Sequence, residues 1–489
     1  MSKHALLIDI TSIQKFIFAS NKLRENLGAS HLVSNLFKDT VIPISPQPIK
    51  NENGYDGYIG GGNALFFFDT DDKAQEFVEE WTKSLLVLVP GITAATAINK
   101  WDDQNFIKSR DDLFDMLIEN KSKFIPQTII PRHGISAECS SDGYSMDFWS
   151  NSKNEYVSAA TSAKLEAYEK AKDAISKEYG NIIGNYRFTG DLEMLGQSKG
   201  SENHIAIVHI DGNSMGDRFK SLPSLDATKQ LSGDVENAVK NSFKKLLQKI
   251  VVELNDPAKK KFLSLKQDSD KFILPIRPII LGGDDITFVC EGRMGIYYAK
   301  IFMEAFKDQL GSDVNCLNLT SCAGVAITKT KYPFYKGYQL AEELCANAKS
   351  KRRENGNDGS WLDFHIAYGG FSGELNEIRD THYKAQLGSL IYRPYKIADS
   401  SDYSFEVFVE RTKVLKKDWP NNKIKELREV LTLGKDAVNI FLNETKSRGL
   451  KLPDVNSKKY NEKIFVGDVT PYFDMIELLE YYPKYELEE

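Results

Sequence analysis

The sequence predicts an α+β protein built on two ferredoxin-like units, with a mostly helical insert between them and a helical region after the second. Three observations carry this prediction. A weak internal repeat presents the order β-α-β-β-α-β twice. The strand-like runs are apolar nearly end to end, as in sheets covered by helices. Each copy also has a glycine-rich hairpin between its second and third strands: Gly60-Gly61-Gly62-Asn63 in the first, Gly282-Gly283-Asp284-Asp285 in the second.

The first copy opens with Ala5-Leu6-Leu7-Ile8-Asp9, an apolar strand ending in an acid. A helical stretch over about 13–37 follows, then the first hairpin and Ala64-Leu65-Phe66-Phe67-Phe68, whose three phenylalanines read as a strand covered on both faces. A helix near 73–87 and a small-residue strand over 92–98 complete the unit. The second copy opens with a strand from Ile205 to Ile210 that ends in Asp211. The helix after it, about 234–254, sets Val235, Val239, Phe243, Leu246, Leu247, Ile250 and Leu254 on one face. The acidic hairpin, a helix near 296–310, a strand over 321–327 and a helix over about 336–351 follow. The units are placed at 1–104 and 201–370. The insert is 105–200, with its clearest helix at 156–179. The C-terminal helical domain is 371–489, with a helix start at Asp418-Trp419-Pro420.

A chain of 489 residues with net charge −6 has no whole-molecule basic field to draw it to nucleic acid or membrane. Any RNA contact is expected to be local or supplied by partner subunits. No apolar run reaches membrane-span length, the first residues lack the pattern of a signal peptide, and the five cysteines form no Cys-x-x-Cys pair. The expected location is the cytoplasm.

The second hairpin concentrates the chemistry. Glycines permit a tight turn and leave space for a ligand, and two adjacent carboxylates at the end of a buried sheet cost least when a divalent cation joins them. The ferredoxin-like order also brings the end of the first strand beside this hairpin, so Asp211, Asp284 and Asp285 are expected to converge and to hold two ions, Mg²⁺ or Mn²⁺. The turn Gly212-Asn213-Ser214-Met215-Gly216 opens toward a helix and offers backbone N–H groups to phosphate oxygens. Lys349 and Arg353, four apart in the run Lys349-Ser350-Lys351-Arg352-Arg353, supply positive charge for the phosphates and for departing pyrophosphate.

Each feature alone has a plainer reading: a solvated hairpin, a helix cap, a solvated helix end. Their occurrence together, in the order one fold requires, favours catalysis. His209 and Cys139 read as structural side chains.

These motifs resemble a known family. Asp211 to Gly216, Gly282 to Asp285, Ser321-Cys322-Ala323-Gly324-Val325-Ala326-Ile327, the segment Ala341 to Lys349 and Trp361-Leu362-Asp363-Phe364-His365 are similar to the second palm domain of the large subunit of type III CRISPR effectors. Ile13-Gln14-Lys15-Phe16-Ile17 and the segment Leu23 to Ser30 resemble the start of its first palm. The resemblance implies two palm domains of nucleotide cyclase type, facing each other, and a polymerase-cyclase that joins ATP into cyclic oligoadenylate messengers for antiviral defence. It also implies guide or target RNA reached through other subunits, and protein partners met through the C-terminal helices. On this pattern Asp211, Asp284 and Asp285 hold the metals, Lys349 meets triphosphate, and the first palm is a degenerate acceptor site, with Gly62-Asn63 where a metal-binding acid is needed.

Three departures stand out. The first palm starts within ten residues and no His-Asp dipeptide occurs, so the nuclease domain of larger members is not expected in this sequence. The zinc-binding cysteine pairs of the inter-palm region are missing. Asn213 stands where an acid is common. Two other readings remain open: a nucleotide-binding scaffold without turnover, and a free-standing synthase of a different cyclic nucleotide.

Overall fold

The computed structural model describes residues 3–38, 41–43, 45, 47–51, 54–123, 135–195, 203–268, 270–311, 317–368, 373–455 and 458–488. Its first palm contains β1 (Lys3–Thr11), α1 (Ile13–Ile17), α2 (Leu23–Asn35), β2 (Tyr58–Gly60), β3 (Asn63–Phe68), α3 (Asp71–Leu88) and β4 (Thr93–Trp101). The sheet order is β2-β3-β1-β4, all antiparallel, as the ferredoxin-like pattern requires. The Phe66–Phe68 run is covered on both faces. Phe66 and Phe68 pack with Phe77 and Trp81 of α3, while Phe67 joins Trp101 on the other side.

That other side is closed by α4 (Phe106–Lys123), through Phe106, Leu113 and Leu117. This helix, placed in the insert by sequence, thus packs on the first sheet. The long insert helix α5 (Ala159–Ile183) begins where the Ser158 hydroxyl accepts from Thr161 N–H at 3.0 Å. Tyr156, expected inside it, lies instead in a short hairpin of Phe148–Ser150 and Glu155–Val157. Helix α5 runs along α2 so closely that a Cβ on Gly28 would fall 1.7 Å from the Lys164 carbonyl oxygen.

The second palm repeats the first with additions. It contains β5 (His204–Gly212), α6 (Met215–Lys220), α7 (Leu225–Leu254), β6 (Ile276–Gly282), β7 (Asp285–Glu291), α8 (Gly295–Lys307), β8 (Ser321–Lys329) and α9 (Phe334–Glu354). Two further strands, β9 (Ser360–Ile366) and β10 (Tyr395–Ile397), extend the sheet to the order β6-β7-β5-β8-β9-β10. Strand β10 lies beyond residue 370 yet pairs with β9. Buried Asp363 of β9 accepts from both Nη atoms of Arg379 at 2.9 Å, and buried Arg393 bonds Asp474 at 3.0 Å and Glu477 at 2.5 Å. These ion pairs fasten the C-terminal helices to the second sheet. One of those helices, Asn421–Leu433, starts after Pro420 and buries Ile424, Leu427, Val430 and Leu431.

The palms share one hydrophobic core. Phe16 of α1 and Phe18 just after it pack with Ile205, Ile207, Phe334 and Tyr338 of the second palm, and Phe18 stacks on Tyr338 with ring centroids 3.8 Å apart. The Ser30 hydroxyl donates to the Ile279 carbonyl across the same boundary. No described helix is long and apolar enough to cross a membrane.

Candidate active site

The hairpin between β6 and β7 turns at Gly283, whose φ of +60° is open to glycine at no steric cost. A Cβ on Gly282 or on Gly216 would meet nothing within 4 Å, so the backbone there borders open space. Register places Asp285 directly across from Asp211 of β5, and the Gly212 N–H donates to the Asp284 carbonyl at 2.9 Å. The three predicted carboxylates are therefore brought to one sheet end.

Their surroundings are uneven. Asp211 receives Lys349 Nζ at 2.6 Å from α9. Asp285 Oδ2 accepts from Gln14 Nε2 of the first palm at 3.3 Å. Asp285 Oδ1 is shut off from solvent without a hydrogen bond, with His209 Nδ1 facing it at 3.4 Å. Burial, then the charge of Asp211, pushes the Asp284 carboxyl up to about 6. Burial works against charge on His209, but the nearby carboxylates of Asp285 and Asp211 outweigh it and its pKa is raised. Lys349 is likewise raised: burial opposes its charge, and Asp211 overcomes the opposition.

Whether these residues suit a divalent cation is decided by their donors. Carboxylate oxygens are the hard ligands Mg²⁺ and Mn²⁺ take. A carboxyl driven up by burial and by neighbouring carboxylates, and an Asp285 oxygen without a hydrogen bond, both mark a place where a cation would be favoured. The residues fit. Among the described residues no three His, Cys, Asp or Glu side chains are already closed around one point as a metal site. Lys349 and Gln14 hold Asp211 and Asp285 in their present places.

Other predicted residues fall differently. Asn213 is buried, and its side chain bonds the Thr320 hydroxyl at 3.2 Å and the Gly359 carbonyl at 3.4 Å. Its N–H donates to the Thr320 carbonyl at 2.8 Å. The N–H groups of Gly212 and Asn213 are thus spent inside the protein and do not face a phosphate. Asn213 pins the turn to β8 instead. Ser214 takes a left-handed φ of 57° at the start of α6, and Met215 is buried. Arg353 lies one turn past Lys349, exposed, and makes no ion pair among the described residues, because the helix carries it past the sheet end.

A cavity of about 760 Å³ opens beside Asp284. It is lined by both hairpin tips (Gly61, Asn63, Gly283), by Met215 and Gly216 of α6, and by Arg110 and Phe114 of α4. Sequence reasoning missed three participants. Gln14 and Lys121 carried no local signal. His209 was read as structural, although its place two residues before Asp211 set it on the same face of the strand.

The register shows how far the repeat extends. Asp9 pairs with Asn63 as Asp211 pairs with Asp285, and Ile10 N–H donates to the Gly62 carbonyl at 3.0 Å, the counterpart of the bond from Gly212 to Asp284. Lys121 Nζ meets Asp9 from the helix after the fourth strand, as Lys349 meets Asp211. The first palm keeps the strand acid and the helix lysine. It lacks the hairpin acids.

Two facing palms, one with a complete set of hairpin and strand carboxylates, define a palm polymerase/cyclase type of architecture. Residues 204–357 match the family model of the second palm domain of Cas10/Cmr2. The solved structure of Csm1 from T. onnurineus is similar at 14% identity and a TM-score of 0.54, over 100% of this chain and 69% of that one. Csm1-Csm4 cassettes in complex with cA4 and with pppApApA give 14% identity and TM-scores of 0.55. The first covers 100% of this chain and 70% of that one, the second 98% and 69%. No curated protein matches the chain. Residues 204–357 are thus similar to the second palm domain of Cas10/Cmr2, and the fold of the chain is similar to that of Csm1.

Proposed function

We propose that this protein is a metal-dependent nucleotidyltransferase that joins ATP into cyclic oligoadenylates. The observation that supports the reading is that Asp211, Asp284 and Asp285 meet at one sheet end, where Asp284 lines a cavity bordered by both hairpin tips. Divalent ions bound there would lower the pKa of an attacking 3′-hydroxyl and offset charge on the phosphates. The three aspartates are the residues to hold them. On this reading Lys349 would release Asp211 and meet the triphosphate, and pyrophosphate would be the leaving group. Gly282 and Gly216 border the open space beside the carboxylates. The first palm, with Asp9 and Lys121 but no hairpin acid, would present the second nucleotide without activating it.

Preference for adenine rests on the likeness to proteins solved with ATP, AMPPNP and cyclic oligoadenylates. The same likeness supports a companion subunit, as Csm4 accompanies Csm1. The test is incubation of purified protein with ATP and Mg²⁺ or Mn²⁺, with and without candidate RNA activators, and chromatography of the products. Asp284→Ala/Asp285→Ala is expected to lose on the order of 10³-fold in product. Product that persists undiminished in that variant rejects the assignment.

A further inference from the structure

His209 lies beneath the hairpin in a polar layer that the first palm lacks. It is buried, with Nδ1 3.3 Å from the Thr287 hydroxyl and 3.4 Å from Asp285 Oδ1. The Tyr338 ring stands edge-on to the imidazole at 5.6 Å, itself stacked on Phe18. Imidazole and hairpin acid are therefore fixed from behind by packing across the palm boundary.

The internal repeat isolates what this layer is for. His209 pairs in register with Thr287, and the matching pair in the first palm is Leu7 with Leu65. Two residues on, Asp211 opposes Asp285, and Asp9 opposes Asn63. The strand register at the two positions is the same, so a leucine pair satisfies the fold there. The histidine stands only behind the hairpin that carries an acid. A structural requirement common to both sheets would put a polar pair in both.

We infer that His209 is a positioning residue: it orients Asp285 toward the open end of the sheet, and Thr287 orients it in turn. Residues that hold a ligating carboxylate from behind typically change metal affinity by about 10- to 100-fold when removed. This inference rests on the proposed metal-binding role of Asp285.

The experiment measures the dissociation constant of Mn²⁺ alone by electron paramagnetic resonance, with thermal melting of the same samples. His209→Leu is expected to weaken Mn²⁺ binding about 10-fold or more, with a melting temperature near that of the wild type. His209→Gln, which keeps a donor toward Asp285, is expected to recover part of the loss. If the single leucine melts early, His209→Leu/Thr287→Leu recreates the Leu7–Leu65 pair of the first sheet and takes its place. An unchanged Mn²⁺ constant in the folded leucine variant overturns the positioning role while leaving the catalytic reading standing. Wild-type protein that binds no Mn²⁺ overturns both.

Discussion

The two palms carry the same four-stranded core, and apart from the two strands added to the second sheet, the differences that bear on the site lie in a few side chains at one sheet end. Both end the first strand in an aspartate met by a lysine from the helix after the fourth strand. Both bond the strand backbone to the hairpin tip in the same way. Yet Gly62 and Asn63 stand where Asp284 and Asp285 stand, and Leu7 and Leu65 stand where His209 and Thr287 stand. A sheet end can therefore keep its architecture and its Asp–Lys pair while losing the charge density that calls for a cation. What separates the proposed catalytic palm from the other is the hairpin with its supporting layer, not the fold.

The lysines give the strongest way to break this contrast. Lys349→Ala removes the partner of Asp211 and the charge proposed to meet the triphosphate, and product formation from ATP is expected to fall about 10²-fold. Lys121→Ala removes the matching contact to Asp9, and a loss within about fivefold, seen mainly in KM, is expected if the first palm only presents its nucleotide. Equal losses in the two variants would make the palms functionally equivalent and end the asymmetry. Steady-state kinetics on both variants decides.

Asp284 sharpens the same point through stability. Its carboxyl is pushed up to about 6 by burial and by Asp211, so the folded protein holds this proton more tightly than the unfolded chain does. The associated stabilisation is complete below the ordinary aspartate range near pH 4 and is lost as pH rises through about 6. Asp284→Asn is therefore expected to stabilise the metal-free protein by about 2 kcal/mol at pH 8. Near pH 4 it should change little. Urea unfolding at both values, in chelator, measures it. No pH dependence of the difference would mean that the carboxylates do not strain the fold.

Much of this arrangement was legible before any coordinates. The repeat, the strand acids and the hairpin glycines are local patterns, and the ferredoxin-like order dictates that Asp211 meets the hairpin. Residues that act across the palm boundary were not legible. Gln14 reaches Asp285 from a five-residue helix, a contact no periodicity encodes. Asn213 sits in the right turn, but its side chain is taken by Thr320 and Gly359, partners more than a hundred positions away. Arg353 keeps helical spacing from Lys349, yet the sheet ends first. His209 was set aside because a buried histidine on an apolar strand is usually packing. Only alignment against Leu7 shows it to be the exception.

The hairpin turns themselves provide the mildest contrast and show why the first palm is not one substitution from the second. Gly61 and Gly62 both have positive φ, +60° and +81°, whereas in the second hairpin only Gly283 does. A Cβ at Gly62 would also come within 2.3 Å of Ile13 Cδ1. The position matching Asp284 is therefore strained for any side chain, chiefly by its backbone conformation and secondarily by the tip of Ile13, which opens α1. Gly62→Ala is expected to cost about 1–2 kcal/mol. Gly282→Ala, at a negative φ with open space around its Cβ, should cost about 0.5 kcal/mol or less, or slightly stabilise. Chemical denaturation of the two variants tests this. A Gly62→Ala protein as stable as the wild type would mean that the first hairpin can relax toward the shape of the second, and that an acid at position 62 would be a matter of sequence alone.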